Sequence, residues 1–225
     1  MLLVAAESRE FDGPLAKGRN NLPGWEIDFA ARWEDWTQVA NGPGAALARQ
    51  AVDAAIRHWR PDVIVSTGVC GGLTPGLAVG DIVVASKVLN GRKQEYQAQV
   101  PGCHRKFHSG TVYSSDRVAV SISDKRSLRQ LGADVVEMEA ASVAERASKE
   151  GIPFYCIRSI SDTADEEFEL DFNTLRDANG RFSRPRIALA AMRKPFTRIP
   201  ALLKLDRNTR TAARSLGEFL VDCRF

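Results

Sequence analysis

A chain of 225 residues with 44% hydrophobic content can bury one sizeable core, and 31 basic against 28 acidic residues leave a net charge of only +3, which gives no general attraction to nucleic acid. The start, Met-Leu-Leu-Val-Ala-Ala, is too short and lacks the basic leader of a signal peptide, and no run approaches the ~18 apolar residues of a membrane span, so a soluble, cytoplasmic protein is expected. Cysteines at 70, 103, 156 and 223 form no Cys-x-x-Cys pair, which fits thiols in a reducing compartment.

In chain order, a short apolar strand is predicted at residues 2–6. A helix follows over 45–59, entered through Asn41-Gly42-Pro43-Gly44 and stopped before Pro61. Further strands are predicted over 63–67, 81–88, 110–114 and 134–138. A second helix covers 139–150, with Gly151 as the residue just past its end and Pro153 beyond. The last strand spans 154–160, and from about residue 184 the tail predicts helices broken at Pro195 and Pro200. Several strands are apolar almost throughout, which suits burial on both faces. Alternation of this kind predicts a three-layer α/β sandwich, its central sheet mixed and mostly parallel, flanked by helices. With neither repeats nor a low-complexity linker, residues 1–225 read as a single domain with a helical, basic C-terminal extension.

Ligands in such sheets bind outside the carboxyl ends of strands. Glu10, the glycines 68–72, Glu137–Glu139 and Asp162 each follow a predicted strand, so they are expected to converge on one edge. Three fragments there carry the chemistry: Thr67-Gly68-Val69-Cys70-Gly71-Gly72, Val136-Glu137-Met138-Glu139 and Ser161-Asp162. They supply a tight backbone turn, sulfur and carboxylates. Cleaving the N-glycosidic bond of a nucleoside needs such parts, because it passes through an oxocarbenium-like ribosyl centre. A carboxylic acid can protonate the departing base, and carboxylates can hold the sugar hydroxyls.

With Val79-Gly80-Asp81-Ile82-Val83-Val84 and Ile157-Arg158-Ser159-Ile160-Ser161-Asp162 added, four ordered blocks within residues 1–175 resemble the nucleoside phosphorylase and nucleosidase superfamily, in its methylthioadenosine/adenosylhomocysteine nucleosidase branch. The tail, from Arg184-Pro185-Arg186 through Ile199-Pro200-Ala201-Leu202-Leu203, is more similar to the hopanoid-associated branch, linked to removing adenine from adenosylhopane.

The resemblance implies roles. Asp162 would protonate N7 of the purine, with Ser161 holding it, although Ser-Asp here also suits a helix N-cap. Glu139 would grip the ribose 2′- and 3′-hydroxyls, and Met138 would lie against the sugar face. Glu137 would sit near the same hydroxyls or a water, although carboxylates at a helix start also serve the macrodipole. Glu10 matches the base that activates water, with Glu7 as its substitute if the register slips by one turn. Gly71 and Val136 belong to the ribose wall, where a glycine lets backbone approach. Phe154 and Phe172 are candidates to stack on the base, although either also suits the core.

Two nucleophiles remain open. Purine phosphorylases carry an Arg and a Ser where this chain has Ser66 and Val69, and a buried phosphate needs paired charge. Water is therefore expected as the attacking group, with Arg9 or Arg49 as the cations that would compensate in a phosphate-dependent enzyme. A nucleoside-binding module without activity is the rival from another class. Cys103, His104 and His108 lack a fourth ligand, so no metal is expected, and the resemblance implies no cofactor. There is no nucleophile elbow and no Gly-Lys-Ser/Thr phosphate loop. From Arg184 to Arg214 nine Lys or Arg face a single acid, Asp206. Such a stretch is usually a solvated face, but a peripheral contact with an anionic membrane is a second reading. A homodimer or higher homo-oligomer is implied by the relatives, in which a partner often closes the 5′ pocket.

Overall fold

The computed structural model describes residues 1–177 and 179–225. Among these residues the chain forms ten strands: β1 (Leu2–Ala5), β2 (Asn20–Asn21), β3 (Phe29–Trp33), β4 (Trp36–Ala40), β5 (Ile64–Gly72), β6 (Ile82–Asn90), β7 (Glu95–Gln97), β8 (His108–Ser114), β9 (Val135–Glu137) and β10 (Phe154–Asp162). The helices are α1 (Ala45–His58), α2 (Ile122–Gln130), α3 (Ala140–Glu150), α4 (Arg184–Met192) and α5 (Pro195–Leu220).

Successive side chains of a strand point to opposite faces, and β1 is apolar at all four positions. Leu2 and Val4 enter a core with Val39, with Ala48, Ala51, Val52 and Ala55 of α1, and with Val143 and Ala147 of α3. Leu3 and Ala5 enter a second core with Phe11, Val65, Ile157 and the end of α5, at Leu216, Phe219 and Leu220. The mixed sheet is thus covered on both faces, giving the three layers expected. The alanine-rich faces let α1 and α3 pack closely. Gly151 closes α3 at φ 62°, a left-handed conformation that costs glycine little.

Beyond that sandwich the sheet closes on itself. β5 pairs with β10 in parallel along Ile64–Gly71, β10 pairs antiparallel with β6, β6 with β8 and β8 with β9 in parallel, and β9 returns antiparallel to β5 at Gly71 and Gly72. Five strands therefore form a ring, from which β1, β4, β3 and β2 extend. β5 meets β1 only over Ile64–Ser66 and β9 only at Gly71–Gly72. Between these pairings the strand faces the 3-10 turn Ser8–Phe11, and a side chain fills the notch: Val69 N–H donates to Glu10 Oε1 at 3.4 Å.

Three expectations need correction. The glycines 68–72 lie inside β5 rather than beyond it, because two neighbours in succession keep the strand paired to Gly72. β9 runs against β5, so Glu137 reaches the site from the opposite direction rather than from a shared strand edge. Pro195 does open a new helix, at the position where its missing N–H is harmless. Pro200, however, lies inside α5 without breaking it. It forfeits one bond, to the carbonyl of Phe196, a residue 94% exposed where water can serve that oxygen.

Candidate active site

All the candidate residues except Phe154 line one cleft of about 380 Å³. Phe154 opens β10 and Asp162 closes it, so at ~3.3 Å per residue they stand roughly 26 Å apart. Phe154 is buried in the core shared with α1 and α3 and does not line the cleft, which corrects its assignment to the base pocket. Phe172 does line the cleft, edge-on to Phe168 with ring centroids 5.5 Å apart and to Phe182 at 5.9 Å. A second cavity of about 330 Å³ shares Asp162, Phe168 and Phe172 with the first and extends under α5.

Glu10 is buried in the notch. Its Oε2 accepts from the N–H groups of Ala6 (2.9 Å) and Glu7 (3.3 Å), while Oε1 has only the long bond from Val69. That oxygen can therefore accept another hydrogen bond. Burial pushes the carboxyl above its usual range, and the Arg158 guanidinium pulls the other way. Gly68 makes this approach possible, since a Cβ there would stand 2.9 Å from Glu10 Oε2 on a backbone already at φ 137°.

Glu137 and Glu139 are neighbours with different tasks. Glu137 Oε2 accepts from Arg158 Nη2 (2.6 Å) and from the N–H groups of Glu139 and Ala140 (2.9 Å each), while Oε1 accepts from the Ser114 hydroxyl. It caps the start of α3 and balances a buried cation. Glu139 takes the N–H of Gly44 at 2.7 Å and that of Met138 at 3.2 Å. Its carboxyl is pushed up to about 8, first by burial and then by the charge of Glu137. Met138 Sδ lies 3.4 Å from Arg176 Nη2.

Asp162 ends β10 and is no helix cap. Its Oδ1 accepts from Ser161 Oγ (2.8 Å), and its Oδ2 from Lys125 Nζ (2.7 Å). A Cβ at Gly71 would stand 2.9 Å from that Oδ2 and 3.3 Å from Val136 Cγ1. Displacement of a reacting group by ~1 Å can cost about 10²-fold. Gly71→Ala is therefore expected to lower kcat/KM by about ten- to a hundredfold. Its urea midpoint should stay close to that of the parent protein, since the backbone there is not left-handed. Full activity in this variant would mean Asp162 has room to move.

Sequence reasoning missed two cations. Lys125 belongs to none of the motifs, and Arg158 served only as part of one. Arg158 is 1% exposed and joins Glu137 to Ser66 Oγ, 2.7 Å from its Nη2, with Nε and Nη1 left without partners. Breaking a buried pair from one side costs about 3–5 kcal/mol. Arg158→Met should lose stability on that scale in urea unfolding, and a loss below about 1 kcal/mol would show that Glu137 finds other support. The cations considered for a phosphate are already paired: Arg9, at the cleft wall, with Glu7 at 2.7 Å, and Arg49 with Glu145 at 2.8 Å. Among the described residues no three His, Cys, Asp or Glu are grouped to hold a metal ion. Nor, among them, is any helix long and apolar enough to cross a membrane.

The sequence profile of the phosphorylase superfamily matches residues 37–105 and 93–188. A 5′-methylthioadenosine/S-adenosylhomocysteine nucleosidase from Exiguobacterium is 31% identical over 168 residues, covering 60% of this chain and 70% of that protein. Among solved structures, the corresponding nucleosidase of Neisseria meningitidis, in complex with methylthio-immucillin-A, superposes with a TM-score of 0.73 at 20% identity, covering 98% of this chain and 96% of that one. The futalosine hydrolase of Helicobacter pylori gives 0.70 at 18% identity, with coverage of 98% and 95%. At these identities the superpositions speak for the fold, which the two enzymes share with this chain.

Proposed function

Because this chain belongs to the phosphorylase superfamily, we propose that it is a purine nucleosidase, cleaving the N-glycosidic bond of a 5′-substituted adenine nucleoside with water. The observation that carries this reading is the convergence of Glu10, Glu139 and Asp162, all buried, on one cleft beside Met138. The C1′–N9 bond breaks with its electron pair passing to the purine. Asp162 gives its proton to N7, so that a neutral base departs. Glu10 takes a proton from water as the water oxygen bonds to C1′, and solvent returns that proton to Asp162. Glu139 holds the ribose hydroxyls through bonds that tighten as the ring becomes cationic.

Charge favours water over phosphate. Arg158 lies among Glu10, Glu137 and Glu139, whose charges all act on it. A phosphate dianion placed there would face buried carboxylates with one cation already shared. The deciding measurement is chromatography of free base released from methylthioadenosine, adenosylhomocysteine, inosine and adenosylhopane, each with and without phosphate. Adenine release without phosphate is expected. A strict phosphate requirement would overturn the hydrolytic reading, and release of no base would favour a binding module.

The reading extends to partners. A second copy of the chain is proposed to close the 5′ end of the cleft, and sedimentation as a monomer at assay concentrations would exclude it. Where α4 meets α5, Leu189, Met192 and Phe196 are exposed beside Arg193 and Lys194, an arrangement suited to anionic lipid. Deleting the tail would strip Leu216 and Phe219 from the core, so the discriminating variant is Phe196→Ser. Sedimentation with phosphatidylglycerol liposomes should fall in that variant, and negligible sedimentation of the parent protein would end the membrane reading.

A further inference from the structure

α2 is a polar helix whose one buried residue is a lysine. Its start is well specified: Ser121 Oγ accepts from the N–H of Asp124, and the Asp124 carboxylate accepts from Ser121 N–H, a reciprocal cap. Yet its inward-facing side chain is Lys125, 1% exposed, at a position where an apolar residue would be the ordinary choice. A buried ammonium without a partner carries a heavy desolvation cost. Here Nζ donates to Asp162 Oδ2 at 2.7 Å and to the Thr163 carbonyl at 2.5 Å, and it sits 5.6 Å from the centroid of the Phe168 ring. The Phe168 side chain belongs to the wall of both cavities. Asp162 lines both cavities and Lys125 neither, so the lysine reaches the acid from within the protein.

We propose that Lys125 is a positioning residue for Asp162, holding the carboxyl in place and neutralising the carboxylate that remains once the proton has passed to the departing purine. This rests on the nucleosidase reading of the site. Ser161 and Lys125 each engage one oxygen of Asp162, so its orientation is fixed from two directions. An acid in an apolar wall gives up its proton reluctantly, because a lone buried charge results. With an ammonium 2.7 Å away, proton transfer instead leaves an ion pair.

The other charged groups nearby are engaged elsewhere. Glu166, which follows β10, pairs with Lys204 of α5, and Asp124, one residue before Lys125, is held by Ser121 and by Arg117 at 3.5 Å. Among the described residues Asp162 is the carboxylate in ion-pair contact with Lys125. Burial raises the affinity of Asp162 for its proton and Lys125 opposes it, so removing the lysine moves that titration upward.

The test compares Lys125→Met, which keeps the length without the charge, with Lys125→Arg, which keeps the charge. Each is assayed across pH on methylthioadenosine and on a 5-methylthioriboside carrying 4-nitrophenolate, a leaving group that departs without a proton. Lys125→Met is expected to lower kcat for adenine release by about 10²-fold with KM within a few-fold, and to move the alkaline limb of kcat/KM to higher pH. Nitrophenolate release should stay within about threefold of the parent enzyme, and Lys125→Arg should recover part of the adenine rate. Equal losses on both substrates would mark Lys125 as merely structural and overturn the proposal, as would unchanged adenine release. A parent protein that releases neither leaving group would instead overturn the nucleosidase reading, and this proposal with it.

Discussion

Replacing Asp162 with asparagine should lower kcat for adenine release by about 10²–10⁴-fold while leaving nucleoside binding within roughly tenfold, since proton transfer in the transition state is worth that much and an amide cannot supply it. The structure adds a second consequence. Asp162 accepts from two donors, Ser161 on one oxygen and Lys125 on the other. Asparagine has one acceptor oxygen, so one of the two donors will face an NH₂ group. In either orientation Lys125 is left without a counter-charge there, and where it also faces the NH₂ it loses its acceptor, so a stability loss of about 3 kcal/mol is expected alongside the kinetic one. Urea unfolding and isothermal titration with methylthioadenosine separate the two effects. A variant that folds, binds and still turns over at the parent rate would remove Asp162 from the chemistry.

Glu10→Gln should have a comparable effect, about 10²–10³-fold on kcat, because the amide has no basic oxygen to take the proton of the attacking water. Glu7→Gln is the matched control. Glu7 is only partly buried and engaged with Arg9 at 2.7 Å, so its loss should change kcat no more than a few-fold. The reverse pattern would transfer the role to Glu7. The pH dependence has a definite sign. A base acts only when ionised, and burial holds Glu10 above the ordinary carboxylate range. Activity in kcat/KM should therefore rise with pH through that elevated value, and Glu139, pushed up to about 8, should shape the same limb if it too must be charged. A profile flat from pH 5 to pH 8, with about constant kcat/KM, would contradict both roles.

Strands such as β1 and β10 were legible because apolar residues fill both of their faces, and α1 and α3 because their turns and glycine stops are explicit. The hairpin of β3 and β4, which turns between Trp33 and Trp36, shows no regular apolar alternation and was overlooked beside the stronger helix that follows. α2 offered no apolar stripe, though Ser121-x-x-Asp124 was a usable start signal. That Glu10, Glu139 and Asp162 share one cleft was legible because strand ends gather residues far apart in sequence. The notch holding Glu10 was not, since it depends on where β5 exchanges β1 for β9. Phe154 was misplaced for a related reason: residue type suggested an aromatic wall, but position along the strand decides which end a side chain serves. Lys125 stayed hidden because a lysine is ordinarily a surface residue, and only the packing of α2 against β10 shows what it faces.

The closing turns of α5 lie against Leu3 and Ala5 of the first strand, and their contribution at Leu216, Phe219 and Leu220 completes one whole face of the sheet. A ribosome makes β1 well before α5. Until α5 leaves the exit tunnel, one side of β1 waits uncovered. The same delay applies to β5 and β10, whose residues form the cleft. This face of the sheet is therefore expected to fold only once α5 has emerged, with the nascent strands most exposed to chaperones and to self-association in the interval between β1 and α5.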